Sequence, residues 1–93
     1  MAYTVEIRDM AVKDLEALPR SIRARLIRAI EQRLTTAPDA YGLRLRQSLA
    51  GLWKLRVGDY RIVFELTGTR VSVWAIRHRK DVYPAVERRW FHS

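Results

Sequence analysis

The chain has 93 residues, 48% of them hydrophobic, and a formal net charge of +8 at pH 7. This length predicts one domain over residues 1–93, and the hydrophobic fraction excludes a disordered chain. With no cysteine and two histidines, the sequence predicts no disulfide, no metal site and no cofactor. Acidic residues interrupt the N-terminus and no apolar run is long enough to span a bilayer, so we expect a soluble cytoplasmic protein without membrane contacts.

The large positive charge predicts a partner with dense negative charge, most often nucleic acid. Most of the cations are arginines. The planar guanidinium group binds phosphate in a fork and stacks on bases, which favours arginine over lysine for this purpose.

The first half of the chain reads as a strand followed by two helices. Apolar residues alternate from Tyr3 to Ile7, which predicts a half-buried strand. Helical spacing then predicts one helix up to Pro19 and a second that ends near Pro38. The second helix has apolar residues at every fourth position, namely Ile22, Leu26, Ile30 and Leu34. Two consecutive helices predict a hairpin that covers one face of a sheet.

The second half reads as three strands and a last helix, after an irregular segment over residues 41–50. The strands are predicted at about 52–57, 60–66 and 70–77, and Pro84 is predicted to open the last helix as its first residue. The order is β-α-α-β-β-β-α. The fold class is therefore α+β, a small antiparallel β-sheet packed against an N-terminal α-helical hairpin, with the other sheet face and its rim left open.

The dipeptide Gly58-Asp59 predicts a two-residue hairpin turn, which fixes the register of the strands on either side. In that register Arg56 faces Arg61, and Lys54 shares their face of the sheet. Like charges directly opposite each other destabilise a sheet. A polyanion bound to this face would remove the repulsion, so the pattern indicates a surface that binds a polyanion.

Four segments carry a resemblance to a known family: YTVEI, AVKDLEALPRSIRARLI, LWKLRVGDYRIVFEL and HRKDVY. Together they resemble the RelE/ParE superfamily of type II toxin–antitoxin toxins, and within it the RelE-like branch. The resemblance implies a single RelE-like domain. It also implies a metal-independent endoribonuclease, an mRNA interferase, that cuts mRNA in the ribosomal A site and so inhibits translation. In such toxins a ribose 2′-hydroxyl attacks the adjacent phosphate. The implied partners are a cognate antitoxin, the ribosome and mRNA.

The resemblance also implies roles for five residues. Lys54 matches a catalytic lysine that acts as a base. Arg61 matches the arginine that holds the scissile phosphate. Arg79 matches an arginine that donates a proton or stabilises the leaving group, and His78 occupies a position where other branches use histidine. Tyr83 matches an aromatic residue that stacks on an mRNA base.

Three more cations, Arg56, Arg77 and Lys80, are expected to bind the RNA backbone. One position departs from the family pattern: Leu52 stands where a second lysine is expected. This leaves open which group is the general base and which the general acid.

Two other functions remain open. A ParE-like inhibitor of DNA gyrase shares the expected fold but generally lacks the combination of cations and an aromatic residue seen here. A catalytically degenerate homologue would bind RNA or the ribosome through charge alone, and its binding would weaken with salt just as that of the enzyme would.

Overall fold

The computed structural model describes residues 2–92, so the two ends of the predicted domain, positions 1 and 93, lie outside the described residues. The strands are β1 (Thr4–Ile7), β2 (Leu43–Arg44), β3 (Leu52–Val57), β4 (Tyr60–Thr67) and β5 (Arg70–His78). The α-helices are α1 (Asp9–Glu16), α2 (Arg20–Ala29), α3 (Pro38–Tyr41) and α4 (Val82–Phe91), with a π-helical turn at Ile30–Leu34 and a 3-10 turn at Gln47–Leu49. The predicted α+β class and the order of its main elements are confirmed. The short α3 and β2 were not predicted.

Helices α1 and α2 form the predicted hairpin and bury an apolar stripe against the sheet. Leu26, Ile30 and Leu34 are buried as the four-residue spacing predicted, whereas Ile22 is half-buried. They pack on the sheet residues Leu55, Ile62, Phe64, Val71, Val73 and Ile76. This first hydrophobic cluster fixes the orientation of the central strands.

The five strands form one sheet in the order β1-β5-β4-β3-β2. The hairpin of β3 and β4 has the predicted register, in which Arg56 faces Arg61 and Lys54 faces Val63. One pairing differs from an antiparallel sheet, because β1 runs parallel to β5. The helical hairpin between β1 and the later strands provides the long crossover that a parallel pairing requires.

Helix α4 covers part of the second sheet face, which the sequence analysis had expected to be open. Val82 and Val86 point into a second hydrophobic cluster with Leu52, Val63, Trp74 and Ala75, and Ala85 of the same helix is buried as well. The helix begins at Val82, so Pro84 lies in its first turn rather than at its first position. A proline is tolerated there because the amide groups of the first turn have no partner within the helix. Helix α4 therefore shields the part of the second sheet face around this cluster from solvent.

Candidate active site

Lys54 of β3 and Tyr83 of α4 meet on the second sheet face. The Lys54 Nζ lies 5.9 Å from the centre of the Tyr83 ring, and both residues are half-buried. This distance is at the outer limit of a cation–π contact. The sequence analysis assigned a role to each residue separately, and the fold brings them together.

Arg61 is folded against the turn that joins β3 and β4. Its Nη1 donates hydrogen bonds to the carbonyls of Gly58, at 3.0 Å, and Tyr60, at 2.9 Å. The residue is only 7% exposed. None of the ion pairs found among residues 2–92 involves Arg61. Its positive charge is therefore held at a fixed place without a neutralising carboxylate.

Gly58 allows this turn to form. Its φ is +59°, a left-handed backbone conformation that residues other than glycine rarely adopt. A Cβ on this residue would also lie 2.9 Å from the Arg25 Nη1, so the turn is packed between the guanidinium groups of Arg25 and Arg61.

Arg79 lies at the other half of the same turn. Its backbone N–H donates to the Asp59 carbonyl at 2.8 Å, and its Nε is 3.8 Å from the Asp59 carboxylate. The Arg79 side chain is 55% exposed. Arg61 is thus bonded to Gly58 and Arg79 to Asp59, so one turn holds two of the predicted site residues.

His78 lies on the opposite face of the sheet from Arg61. Its register partner is Tyr60, and the two rings meet edge to face at 5.5 Å, while Arg61 pairs with Arg77. The His78 Nδ1 accepts a hydrogen bond from the Lys80 backbone N–H at 3.2 Å. Tyr60 packs on the first cluster, under the helical hairpin. Among the predicted catalytic residues, His78 is therefore separated from Lys54 and Arg61 by the sheet.

Three arginines form a row across neighbouring strands. Arg56 of β3 faces Arg61 of β4, which in turn faces Arg77 of β5. Arg56 is exposed, whereas the Arg77 guanidinium lies 3.4 Å from carboxylate oxygens of both Asp14 and Asp81. Lys80 is exposed in the turn after β5. Within residues 2–92, ion pairs compensate the charge of the row at its Arg77 end alone.

The burial of Leu52 accounts for the absence of a second lysine at this position. Leu52 is 1% exposed and belongs to the second hydrophobic cluster, beneath α4. A charged side chain at this position would lose its hydration without a partner. The chain therefore has an apolar anchor for α4 where the family pattern has a cation.

A second group of cations lies beside the turn, on the side of α2. Arg25, Arg28, Arg33 and Arg56 line a cavity of about 210 Å³ together with Gly58. The ion pairs found among the described residues include none of these four arginines. The cavity is therefore a concentration of positive charge suited to an anion.

The sequence analysis missed the buried ion pair of Asp14 and Arg89. Asp14 falls between Ala11 and Leu15 on the apolar stripe of α1, and a carboxylate on a buried stripe is the signal that could have revealed it. The Arg89 Nη1 and Nη2 donate to its two oxygens at 2.7 and 3.0 Å. This bidentate pair joins α1 to α4.

Comparison with known proteins places the chain among toxins. Residues 5–83 match the family described as ParE toxin of type II toxin-antitoxin system, parDE. Toxin RelG of Mycobacterium tuberculosis is 34% identical over 85 residues, which cover 89% of this chain and 98% of that protein. Toxin RelE of the same organism is 35% identical over 83 residues, covering 87% of this chain and 86% of that protein.

A solved structure agrees with these matches. In the toxin–antitoxin complex RelBE2 of M. tuberculosis, one chain is 32% identical, with a TM-score of 0.81 over 85% of this chain and 100% of that chain. The chain belongs to the RelE/ParE superfamily of type II toxin–antitoxin toxins, and within it to the RelE-like members. None of the helices within residues 2–92 combines the length and apolar character needed to cross a membrane.

Proposed function

We propose that this toxin is a metal-independent endoribonuclease that cuts mRNA in the ribosomal A site. The observation that carries the proposal is the meeting of Lys54 and Tyr83 at 5.9 Å, on the same sheet face as the arginine row. The aromatic ring can hold an RNA base by stacking, and the cation beside the ring can reach the ribose of the adjacent nucleotide. A gyrase inhibitor has no need of this arrangement.

The reaction needs three groups. One removes the proton of the 2′-hydroxyl, one stabilises the charge on the phosphorane, and one assists the leaving 5′-oxygen. Lys54 takes the first role and Arg61 the second. Attack then forms a 2′,3′-cyclic phosphate and releases a 5′-hydroxyl end, without loss or gain of electrons.

Arg79 takes the third role, in preference to His78. Arg79 is exposed at the turn that holds Arg61, whereas His78 faces Tyr60 on the other side of the sheet. Arg79 acts by stabilising negative charge on the leaving 5′-oxygen, which takes its proton from water.

Arg61 can bind phosphate while it stays on the turn. A guanidinium has five N–H donors, and both of the Arg61 side-chain hydrogen bonds found among residues 2–92 come from Nη1. We therefore assign Nη2 and Nε to a bidentate contact with a phosphate.

The arginine cavity supports ribosome binding through RNA phosphates. Arg25, Arg28, Arg33 and Arg56 face one cavity, and RNA presents regularly spaced negative charges that could enter it. We assign Arg56, Arg77 and Lys80 to the RNA backbone as well. Because Arg77 also contacts Asp14 and Asp81, we expect it to contribute least of the three to RNA binding.

A cognate antitoxin is the proposed protein partner. Its support comes from neighbours that were solved as complexes: RelBE2 of M. tuberculosis, at a TM-score of 0.81, and RelE–RelB of Pyrococcus horikoshii, at 0.61. An antitoxin with acidic residues would match the excess positive charge of this chain.

Inhibition of DNA gyrase is the second candidate, because the matching family is described as ParE toxin. Two assays on antitoxin-free protein separate the candidates. We expect truncated mRNA in a reconstituted translation reaction and unchanged supercoiling by gyrase. Full-length mRNA together with inhibited supercoiling would reverse the assignment. If the folded protein leaves mRNA at full length and gyrase active, the remaining candidate is a homologue that binds RNA or the ribosome without cutting.

A further inference from the structure

Strand β5 extends past the end of its neighbour β1. The two strands pair up to Ile7 and Val73, and the Arg8 N–H donates to the Val73 carbonyl at 3.1 Å. Beyond this point β1 has turned into α1. The edge of β5 would present unpaired backbone groups if nothing replaced the missing strand.

Two side chains replace it. The Asp14 Oδ2 accepts a hydrogen bond from the Ile76 N–H at 3.0 Å, and the Arg89 Nη1 donates to the Trp74 carbonyl at 3.0 Å. These side chains come from α1 and α4, on either side of β5. They continue the hydrogen bonding of the edge where the backbone of β1 no longer reaches.

The same two side chains bind each other. The Arg89 guanidinium and the Asp14 carboxylate form two bonds, at 2.7 and 3.0 Å, and their side chains are 13% and 5% exposed. Bidentate pairs of this kind fix both distance and orientation. Val82 and Val86 pack in the second hydrophobic cluster, and the Trp90 ring meets Trp74 edge to face at 5.0 Å. Among these contacts of α4, the ion pair is the one that joins the helix to α1.

One helix connects this pair to the candidate active site. Tyr83 is in the first turn of α4 and Arg89 is in its last turns, roughly 9 Å along the axis. A helix of this length moves as a unit, so a shift at Arg89 moves Tyr83 relative to Lys54.

We propose that Asp14 and Arg89 are positioning residues for RNA cleavage, holding α4 so that Tyr83 lies over Lys54. The inference rests on the proposed function. Neither residue touches the RNA in this account. They act through Tyr83, because the pair adds directional hydrogen bonds that join α4 to α1 and to the edge of β5.

The first test is amide hydrogen exchange on the isolated protein, which does not depend on activity. Arg89→Gln should raise exchange in residues 82–91 by about tenfold or more, while β3 and β4 stay protected. Arg88→Gln is the matched control, because Arg88 is the exposed neighbour on the same helix and the charge change is identical. Equal exchange in the two variants would overturn the proposal.

The second test is the rate of A-site cleavage at saturating programmed ribosomes, measured well below the unfolding midpoint of each variant. Arg89→Gln should slow cleavage about tenfold or more, and Arg88→Gln should not. Combined with Tyr83→Ala, Arg89→Gln should cause almost no further loss, because its effect passes through Tyr83. A purely structural residue would lower the unfolding midpoint and leave the rate of the folded enzyme unchanged, which would contradict the proposal.

A third combination tests whether the two residues act as a pair. If Arg89 acts through Asp14, the double variant with Asp14→Asn should be as slow as either single variant. Losses that multiply would mean that the two residues act separately, for example because Asp14 also holds Arg77, and this would overturn the proposal. If Asp14→Asn does not fold, the comparison of Arg89→Gln in the wild-type and Tyr83→Ala backgrounds decides the question. If the wild type cuts no mRNA, the proposed function fails, and the exchange comparison still decides whether Arg89 holds α4.

Discussion

Lys54 and Tyr83 lie on separate elements, β3 and α4, yet the lysine Nζ is 5.9 Å from the centre of the tyrosine ring. The contact depends on α4 folding back over the sheet, where Val82 and Val86 pack on Val63 and Trp74. A flexible C-terminal segment would not keep the ring at this place. The packing of α4 therefore links the hydrophobic core to the proposed chemistry.

Replacement of Arg61 should have the largest effect among the arginines of the row. Arg61→Ala removes the positive charge held at the turn, and we expect cleavage to slow about a hundredfold or more. Arg56→Ala should slow cleavage only a few-fold, since Arg56 is exposed and the proposal assigns it to the RNA backbone alone. Single-turnover cleavage on programmed ribosomes measures both.

The control for Arg61 is Arg70→Ala, at the far end of β5, where the side chain is 66% exposed beside Glu6. This change should leave the rate unaltered. Equal rates for Arg61→Ala and Arg70→Ala would contradict the role of Arg61.

Tyr83 should act through its ring rather than its hydroxyl. Tyr83→Phe keeps both the stacking surface and the contact with the Lys54 cation, so we expect nearly full activity. Tyr83→Ala loses about 1–3 kcal/mol of stacking, which corresponds to a slowing of roughly fivefold to more than a hundredfold. A Phe variant as slow as the Ala variant would show that the hydroxyl is the functional group.

Leu52→Lys would restore the cation of the family pattern, but we expect it to destabilise the fold. Leu52 is 1% exposed beneath α4, so the change removes apolar contacts and buries a charge. The free energy of unfolding should fall by about 2 kcal/mol or more, which lowers the melting temperature by roughly 10 °C. Thermal unfolding followed by circular dichroism gives the result.

The matched control is Ile27→Lys, at an aliphatic residue of α2 that is 39% exposed. Its melting temperature should change little. A Leu52→Lys protein as stable as the control and faster in cleavage would mean that the position belongs to the active site rather than to the core.

The arginine cavity should determine how binding responds to salt. If Arg28 binds an RNA phosphate, Arg28→Gln should reduce the slope of log affinity against log salt by about 1. Arg20→Gln, on the same helix but outside the cavity lining, should leave the slope unchanged. Ribosome binding measured from 50 to 200 mM salt compares the two. Identical slopes would exclude the cavity as a phosphate site.

Local signals in the sequence determined much of this fold. The turn at Gly58-Asp59 fixed which residues face each other across β3 and β4, because a two-residue loop leaves one register. The spacing of Leu26, Ile30 and Leu34 likewise predicted the buried side of the second helix. In each case residues close in the sequence contain the whole signal.

Contacts between distant elements could not be predicted in the same way. The parallel pairing of β1 with β5 joins the two ends of the chain, and no local pattern indicates it. The covering of the second face by α4, and with it the pairing of Asp14 and Arg89, depends on where the helix returns. The placement of His78 behind the sheet follows from alternation once the end of β5 is known. The sequence left that end open.

The most direct test of the account is cleavage of mRNA in programmed ribosomes by antitoxin-free wild type and by Lys54→Ala. Primer extension would map the cut, and analysis of the ends would identify the chemistry. We expect cleavage within the A-site codon, a 2′,3′-cyclic phosphate end, no cleavage without ribosomes, and a rate at least a hundredfold lower in the variant. No cleavage by folded wild type, or equal rates for wild type and Lys54→Ala, would contradict the proposed active site.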